Sequence, residues 1–419
     1  MKTAFLLLLL FNLTGFSQNP LNLLEEYIKI DTKENTREGV FFFKKIFENY
    51  NIEYKIIENG EKPSIIAKIE GTDKNLTPFL LTHHIDCVNK GRPLVVQKFY
   101  MEGPCLLDDK SLGIAHLISF LEAKKAKPKR GIYFLAVSDE EKGGKEGIEY
   151  LIKNGFLPEI SFAIGEGGKS SSATDQKLFI TVSNTDKGVI WIEVEISLPG
   201  GHSLSLDDGI LKENIKKIYS LPSITPFKGK LKEYQEFISW YKNAFPREIK
   251  IPQNYEEIQK SHQAFTSTTI AITSIKTDGE ANVMASKLKI TLDIRTASVE
   301  NHRQVLDFLK KEFPGAKFNK ILEIYPSPTT PSDNIYFKRF IKILKEIYPS
   351  LPIGPSINPG FSDLSYLREK GIPSMGFSPF FLNYYHYFTV HKDKEHLPED
   401  RFLEGVELMK RIVLKLSEE

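Results

Sequence analysis

Apolar and polar positions recur along this chain with two different periods, and the switch between them divides it. From Pro20 to Ile30, and more strongly from Arg37 to Glu48, apolar residues follow helical spacing, with Val40, Phe41, Ile46 and Phe47 along one stripe. Ser64 to Glu70 alternates as a strand does, and Pro78 to His83 is a short, nearly continuous apolar run. Asp109 to Ala123 reads as a helix, with Leu112, Ala115, His116, Ile118, Ser119 and Leu121 available to its inner side. Gly131 to Val137 predicts an apolar strand, Lys145 to Lys153 a helix and Ile160 to Ile164 another strand. This rhythm predicts an α/β fold: a mostly parallel sheet with helices on both faces.

After Asp186 the rhythm changes. Lys187 to Leu198 alternates strongly, with Val189, Trp191, Glu193 and Glu195 on one face. A helix follows near Ile210 to Tyr219, then a long charged and aromatic stretch, then strands at Thr268 to Lys276 and Lys287 to Arg295. Helices among antiparallel-type strands predict a small α+β unit. Ser298 to Phe313 returns to helix and the first rhythm resumes. The expected organisation is one domain inserted in another: residues 18–185 and 298–419 form the main domain, 186–297 the insert.

Composition changes this picture at the amino terminus. A lysine after Met1, an apolar run from Ala4 to Phe11 and small residues at Gly15 and Ser17 read as a secretory signal peptide over residues 1–17, cleaved before Gln18. The run is short for a membrane span, and no later stretch approaches one. A net charge of +2, with basic residues spread along the chain, is too small to suggest a nucleic-acid partner. The densest basic run, Lys124 to Arg130, reads as a solvated loop between a helix and a strand. Cys87 and Cys105 are the only cysteines. In an oxidising compartment they can pair, or they can be packing beside the candidate site. Asn75-Leu76-Thr77 is a glycosylation sequon, relevant where the host uses it.

The chemistry gathers between Leu80 and Gly147. His84 and Asp86 share one strand face, and a carboxylate two residues from a histidine can orient its ring. His83 faces the other way, as a packed or a solvent-bonded histidine. Asp108 opens a helical segment, where it can be a ligand or an N-cap. Glu140 and Glu141 are adjacent carboxylates at a strand end, which repel unless a metal holds one while the other acts as a base. Glu166 ends a further apolar strand. In α/β proteins such strand ends converge on one crevice, so the set reads as a two-metal hydrolase site.

The ordered motifs resemble peptidase family M20, the co-catalytic di-zinc amidohydrolases, over nearly the whole mature chain. The carboxyl end is closest to the aminoacylase branch. It carries Gly360-Phe361-Ser362-Asp363, then Gly371-Ile372-Pro373-Ser374-Met375-Gly376, then Val390-His391-Lys392-Asp393-Lys394-Glu395. The resemblance implies a zinc-exopeptidase-like catalytic domain with an α+β lid or dimerisation domain inserted. It implies two zinc ions (cobalt or manganese being alternatives) bridged by Asp108, with His84 and Glu166 completing one site and Glu141 and His391 the other. Asp86 would orient His84, and Glu140 would be the general base. His202, in Gly200-Gly201-His202-Ser203, would stabilise the oxyanion across a homodimer. Asn282 and Arg295 would bind the substrate carbonyl and carboxylate. His386 and His396 do not fit the pattern. Gly103-Pro104-Cys105 before Asp108, and Cys87 after Asp86, depart from the family's usual residues and bear on substrate shape and metal preference. The aromatic run from Phe380 to Phe388 can line the cleft or pack the core.

The expected function is a secreted or periplasmic zinc hydrolase cleaving an amide next to a free carboxylate, in peptides or N-acyl amino acids. A small-molecule deacylase of the acetylornithine kind is the alternative enzyme, and a catalytically dead binding protein on the same fold the alternative class.

Overall fold

The computed structural model describes residues 19–172, 178–205, 207–228, 232–244 and 267–418. The expected signal peptide lies outside the described residues. No helix among them is long and apolar enough to cross a membrane.

The main sheet has ten strands, parallel at its centre. Phe79–His84 runs beside Ile132–Val137 and Ala163–Gly165, and Ala163–Gly165 beside Ser374–Gly376, all parallel. Glu53–Ile57 and Ser64–Ile69 extend one edge antiparallel. Central strands are buried on both faces, so their sequences are runs rather than alternations: every residue of Phe79–His84 is buried. The helix Ser111–Ala126 is apolar almost all round, since it lies between the sheet and the carboxyl-terminal helix Glu399–Ser417.

The second sheet is antiparallel, in the order Ile224–Lys228, Ser267–Thr277, Lys287–Thr296, Gly188–Ser197, Lys317–Ile324. Its inner face (Ile190, Ile192, Val194, Leu292, Ile294) packs against Ile218 of the helix Gly209–Ser220 and Val305 and Leu309 of the helix Val299–Glu312. The second unit therefore extends to Ile324, past the boundary expected at 298. The strand Lys317–Ile324 escapes sequence reading because only Leu322 and Ile324 are buried, which leaves no period to detect.

The chain crosses between the units at Asp186–Lys187 and again near Ser327. The Asp186 carboxylate is buried, accepts from the Ser362 and Ser365 hydroxyls (2.6 and 2.7 Å) and pairs with Arg368 at 3.0 Å. A buried charge held by several donors fixes geometry more than it adds stability. Here it ties the crossing to the loop 360–363, which borders the site.

Candidate active site

Three parallel strands deliver the site from their carboxyl ends. Phe79–His84 ends on His84 and leads to Asp86. Ile132–Val137 leads into the tight turn Glu140–Lys142, entered through Asp139 at φ 72° and left through Gly143 at φ 97°. Ala163–Gly165 leads to Glu166. Donor atoms of His84, Asp108 and Glu141 lie within 4.8 Å of one another, as do those of His84, Glu140 and Glu166.

Asp108 divides its two oxygens. Oδ1 meets His84 Nε2 at 3.0 Å and Oδ2 meets His391 Nε2 at 3.0 Å, with Glu141 Oε2 3.4 Å from the same His391 nitrogen. Of the two roles the sequence left open for it, ligand or N-cap, Asp108 does not take the N-cap: its backbone is non-helical (φ −130°, ψ 80°) and the helix begins at Ser111. Glu395 holds this segment in place. Its carboxylate accepts the backbone N–H groups of Leu107 (2.7 Å), Asp108 (3.3 Å) and His391 (3.0 Å), so one buried side chain fixes the backbone of both Asp108 and His391. Burial pushes the Glu395 carboxyl up to about 8.

Asp86 acts differently from expectation. His84 Nδ1 bonds the Asp86 backbone oxygen at 3.0 Å, whereas the nearer carboxylate oxygen lies at 3.7 Å. The carboxylate instead accepts the N–H groups of Glu140 (3.2 Å) and Glu141 (3.1 Å). Asp86 thus aims the imidazole with its main chain and the glutamate turn with its side chain.

Charge is densely packed here. Burial opposes the charged form of His84, but Asp108 and Asp86 outweigh it and hold the imidazole well above its ordinary value. His391 is pushed up to about 11 by Asp108 and Glu141. Burial, with repulsion from neighbouring carboxylates, raises Glu140, Glu141 and Glu166. Glu141 Oε1 and Glu166 Oε1 are buried without a hydrogen-bond partner among the described residues. Carboxylates and imidazoles with unpartnered oxygens and mutual repulsion are a donor set suited to hard or borderline divalent cations.

The remaining expected residues separate into two groups. Arg295 lines the cleft, but its Nε and Nη2 already donate to Asp293 (2.7 and 2.8 Å). His202 is exposed on a short ladder, Gly201–His202 against Val283–Met284, Asn282 is exposed in the turn just before that ladder, and neither is among the residues lining this cleft. His83 is buried on the opposite face against Phe43 and Phe134, and burial lowers its pKa. His396 stacks on Tyr100, outside the cluster. From the aromatic run, Phe380, Leu382 and Tyr387 line the cleft, and Phe380 and Leu382 also belong to the core. Cys87 and Cys105 form a disulfide joining the segment after Asp86 to the one before Asp108.

Sequence reasoning assigned no role to Trp191, to Asp293 or to the hydroxyl of Tyr366, which donates to the Gly143 carbonyl at 2.8 Å. The signal available for Trp191 was an aromatic at an outward strand position. The cleft has a volume of about 710 Å³.

Residues 80–415 match the family described as Peptidase family M20/M25/M40. The chain is 24% identical to an N-fatty-acyl-amino acid synthase/hydrolase of Xenopus tropicalis, covering 89% of this chain and 78% of that protein. It is 24% identical to human aminoacylase-1, covering 94% of each. Its fold is similar to that of an M20 family metallo-carboxypeptidase of Sulfolobus solfataricus (TM-score 0.71, 15% identity, 95% and 99% covered). It is also similar to a dinuclear metal-binding M20 peptidase of Bacillus subtilis (TM-score 0.56, 13% identity, 95% and 97% covered). With carboxylates and imidazoles from strand ends and loops converging on one crevice, and a family match spanning most of its length, this chain belongs to peptidase family M20/M25/M40 and is a hydrolytic enzyme.

Proposed function

We propose that this enzyme cleaves an amide bond next to a free carboxylate, in N-acyl amino acids or at the carboxyl end of peptides. The observation that carries the reading is the division of Asp108 between two imidazoles, His84 on Oδ1 and His391 on Oδ2. A carboxylate so placed can bridge two cations. His84 and Glu166 would complete the set around one, Glu141 and His391 the set around the other. When bound, a zinc pair supplies Lewis acidity that polarises the scissile carbonyl and acidifies water.

The chain's own residues do the rest. Glu140 accepts the proton of the attacking water and returns it to the leaving nitrogen, from a turn that the Asp86 carboxylate holds in place. Arg295, fixed by Asp293, presents a guanidinium to the substrate carboxylate. His202 and Asn282, exposed and outside their own cleft, serve the site of a second copy in a homodimer, where His202 steadies the oxyanion. The expected signal peptide and the Cys87–Cys105 disulfide support export to an oxidising compartment.

Metal analysis of the purified protein and a panel of N-acyl amino acids and dipeptides, each with its carboxylate free or amidated, test the reading. It expects a dinuclear load of divalent metal per chain and hydrolysis of the free acids. Metal-free active protein, or equal hydrolysis of the amidated set, would overturn it.

A further inference from the structure

The outer face of the second sheet changes character along its strands. On Gly188–Ser197 the outward positions far from the site are Glu193 and Glu195, both paired with Lys289 (3.0 and 3.3 Å). Over the site the same face carries Val189 and Trp191. A solvated strand face has no need of a tryptophan there, and the inner positions Ile190 and Ile192 already supply the core of this unit.

What surrounds Trp191 gives its position meaning. Val189, Leu322 and Ile324 form a small buried cluster against which Trp191 and Phe361 pack, so the cluster takes residues from both units. Leu322 lies over the Glu140–Lys142 turn: a Cβ built on Gly143 would come within 2.6 Å of its Cδ1. On the other side, Trp191 is the cross-strand partner of Asp293, and Val189 of Arg295. Such partners have Cβ atoms about 5 Å apart, and diagonal neighbours remain within reach of a large side chain. An apolar patch therefore sits between the Glu140 turn and the Asp293–Arg295 pair.

From this geometry we infer that Trp191, with Phe361 and Leu322, selects substrates whose carboxylate-bearing residue has a large apolar or aromatic side chain. The inference rests on the proposed function. With the carboxylate at Arg295 and the scissile amide at Glu140, the side chain on the carbon between them lies against the patch. Burying it there excludes water from both neighbouring polar groups and replaces aqueous contact with aromatic and aliphatic contact. The acyl group, on the far side of the amide, is directed away.

The test compares kcat/KM for two substrate series. In one the acyl group is held as acetyl and the amino acid runs through glycine, alanine, leucine and phenylalanine. In the other the amino acid is held as alanine and the acyl chain lengthens from acetyl to octanoyl. Leucine and phenylalanine should exceed alanine by at least about tenfold, the scale on which apolar pockets discriminate. Trp191→Ala should lower the phenylalanine-to-alanine ratio by about tenfold while leaving the octanoyl-to-acetyl ratio unchanged, and Trp191→Phe should retain most of the preference. If Trp191→Ala does not fold, the Trp191→Phe and Trp191→Met ratios decide, and Trp191→Met should stand below Trp191→Phe. Equal losses on every substrate, or a loss confined to the acyl series, would overturn the inference and leave the proposed function standing. A metal-loaded enzyme that hydrolyses neither series would instead remove the proposed function, and this inference with it.

Discussion

The Asp86 carboxylate receives the backbone N–H of Glu141 at 3.1 Å, its other oxygen receiving that of Glu140 at 3.2 Å. A side chain at the end of one strand thus sets the turn at the end of the next, and the candidate ligand and candidate base move as one piece. Asp86→Asn keeps a single acceptor oxygen and sets an amide N–H₂ against a backbone donor. The variant should lose about 10- to 100-fold in turnover or metal affinity, as happens when groups that orient ligands are changed. Wild-type turnover and metal content in Asp86→Asn would show that the turn does not depend on it.

Arg295→Ala should weaken free-carboxylate substrates by about 1.5–3 kcal/mol, the scale of a charged hydrogen bond, because it also leaves Asp293 unpaired in the cleft. Adding Asp293→Asn should recover part of that loss by removing the repulsive charge. The kcat/KM values of acid and amide substrates check this. A single variant that suffers equally on both would contradict the role, as would a double variant no better than the single.

Lys187, at the crossing between the units, donates to the Ser267 carbonyl at 2.7 Å and is pushed down to about 7 by burial and then by Arg295. Its folded value lies below its ordinary one, so between about pH 7 and pH 10.5 the unfolded chain binds more protons than the folded chain. Stability from this group therefore rises with pH through that window, and its burden is full below the folded value. Lys187→Met should flatten the rise of Tm between neutral and alkaline pH. An unchanged slope in thermal melts across the window would refute the assignment.

Much of this was legible before the structure because parallel strands advertise themselves. His84, Glu140, Glu141 and Glu166 each end or follow a buried apolar run, and convergence of such ends is a topological rule. His391 had no such signal: it sits in a loop at φ 65°, and only the resemblance found it. Asp108 was misplaced as a helix start because DDKS reads as a cap, while the backbone there turns a carboxylate toward two imidazoles instead. The second unit was underestimated because its edge strand buries only Leu322 and Ile324. The Cys87–Cys105 pairing needed the distance between two segments, which no spacing supplies.

The exposed position of His202, away from its own cleft, leads to a mixing experiment. If the proposed homodimer forms, the Glu140→Gln and His202→Ala proteins should each be nearly inactive. After dissociation and random reassortment half the dimers are mixed, and one site in each has an intact Glu140 served by an intact His202, so about a quarter of all sites should recover. Verified subunit exchange with no regain of activity would rule the trans arrangement out.

Metal stoichiometry and turnover measured side by side in Glu140→Gln and Glu141→Gln test the central claim most directly. Glu141 Oε2 lies 3.4 Å from His391 Nε2 and Glu141 Oε1 is buried with no hydrogen-bond partner among the described residues, as suits a ligand. Glu140→Gln should keep the wild-type metal content and lose about 10²- to 10⁴-fold in turnover, the scale of a lost general base. Glu141→Gln should lose metal along with activity. Equal metal loss in both variants, or a Glu140→Gln enzyme that still turns over at the wild-type rate, would contradict the account.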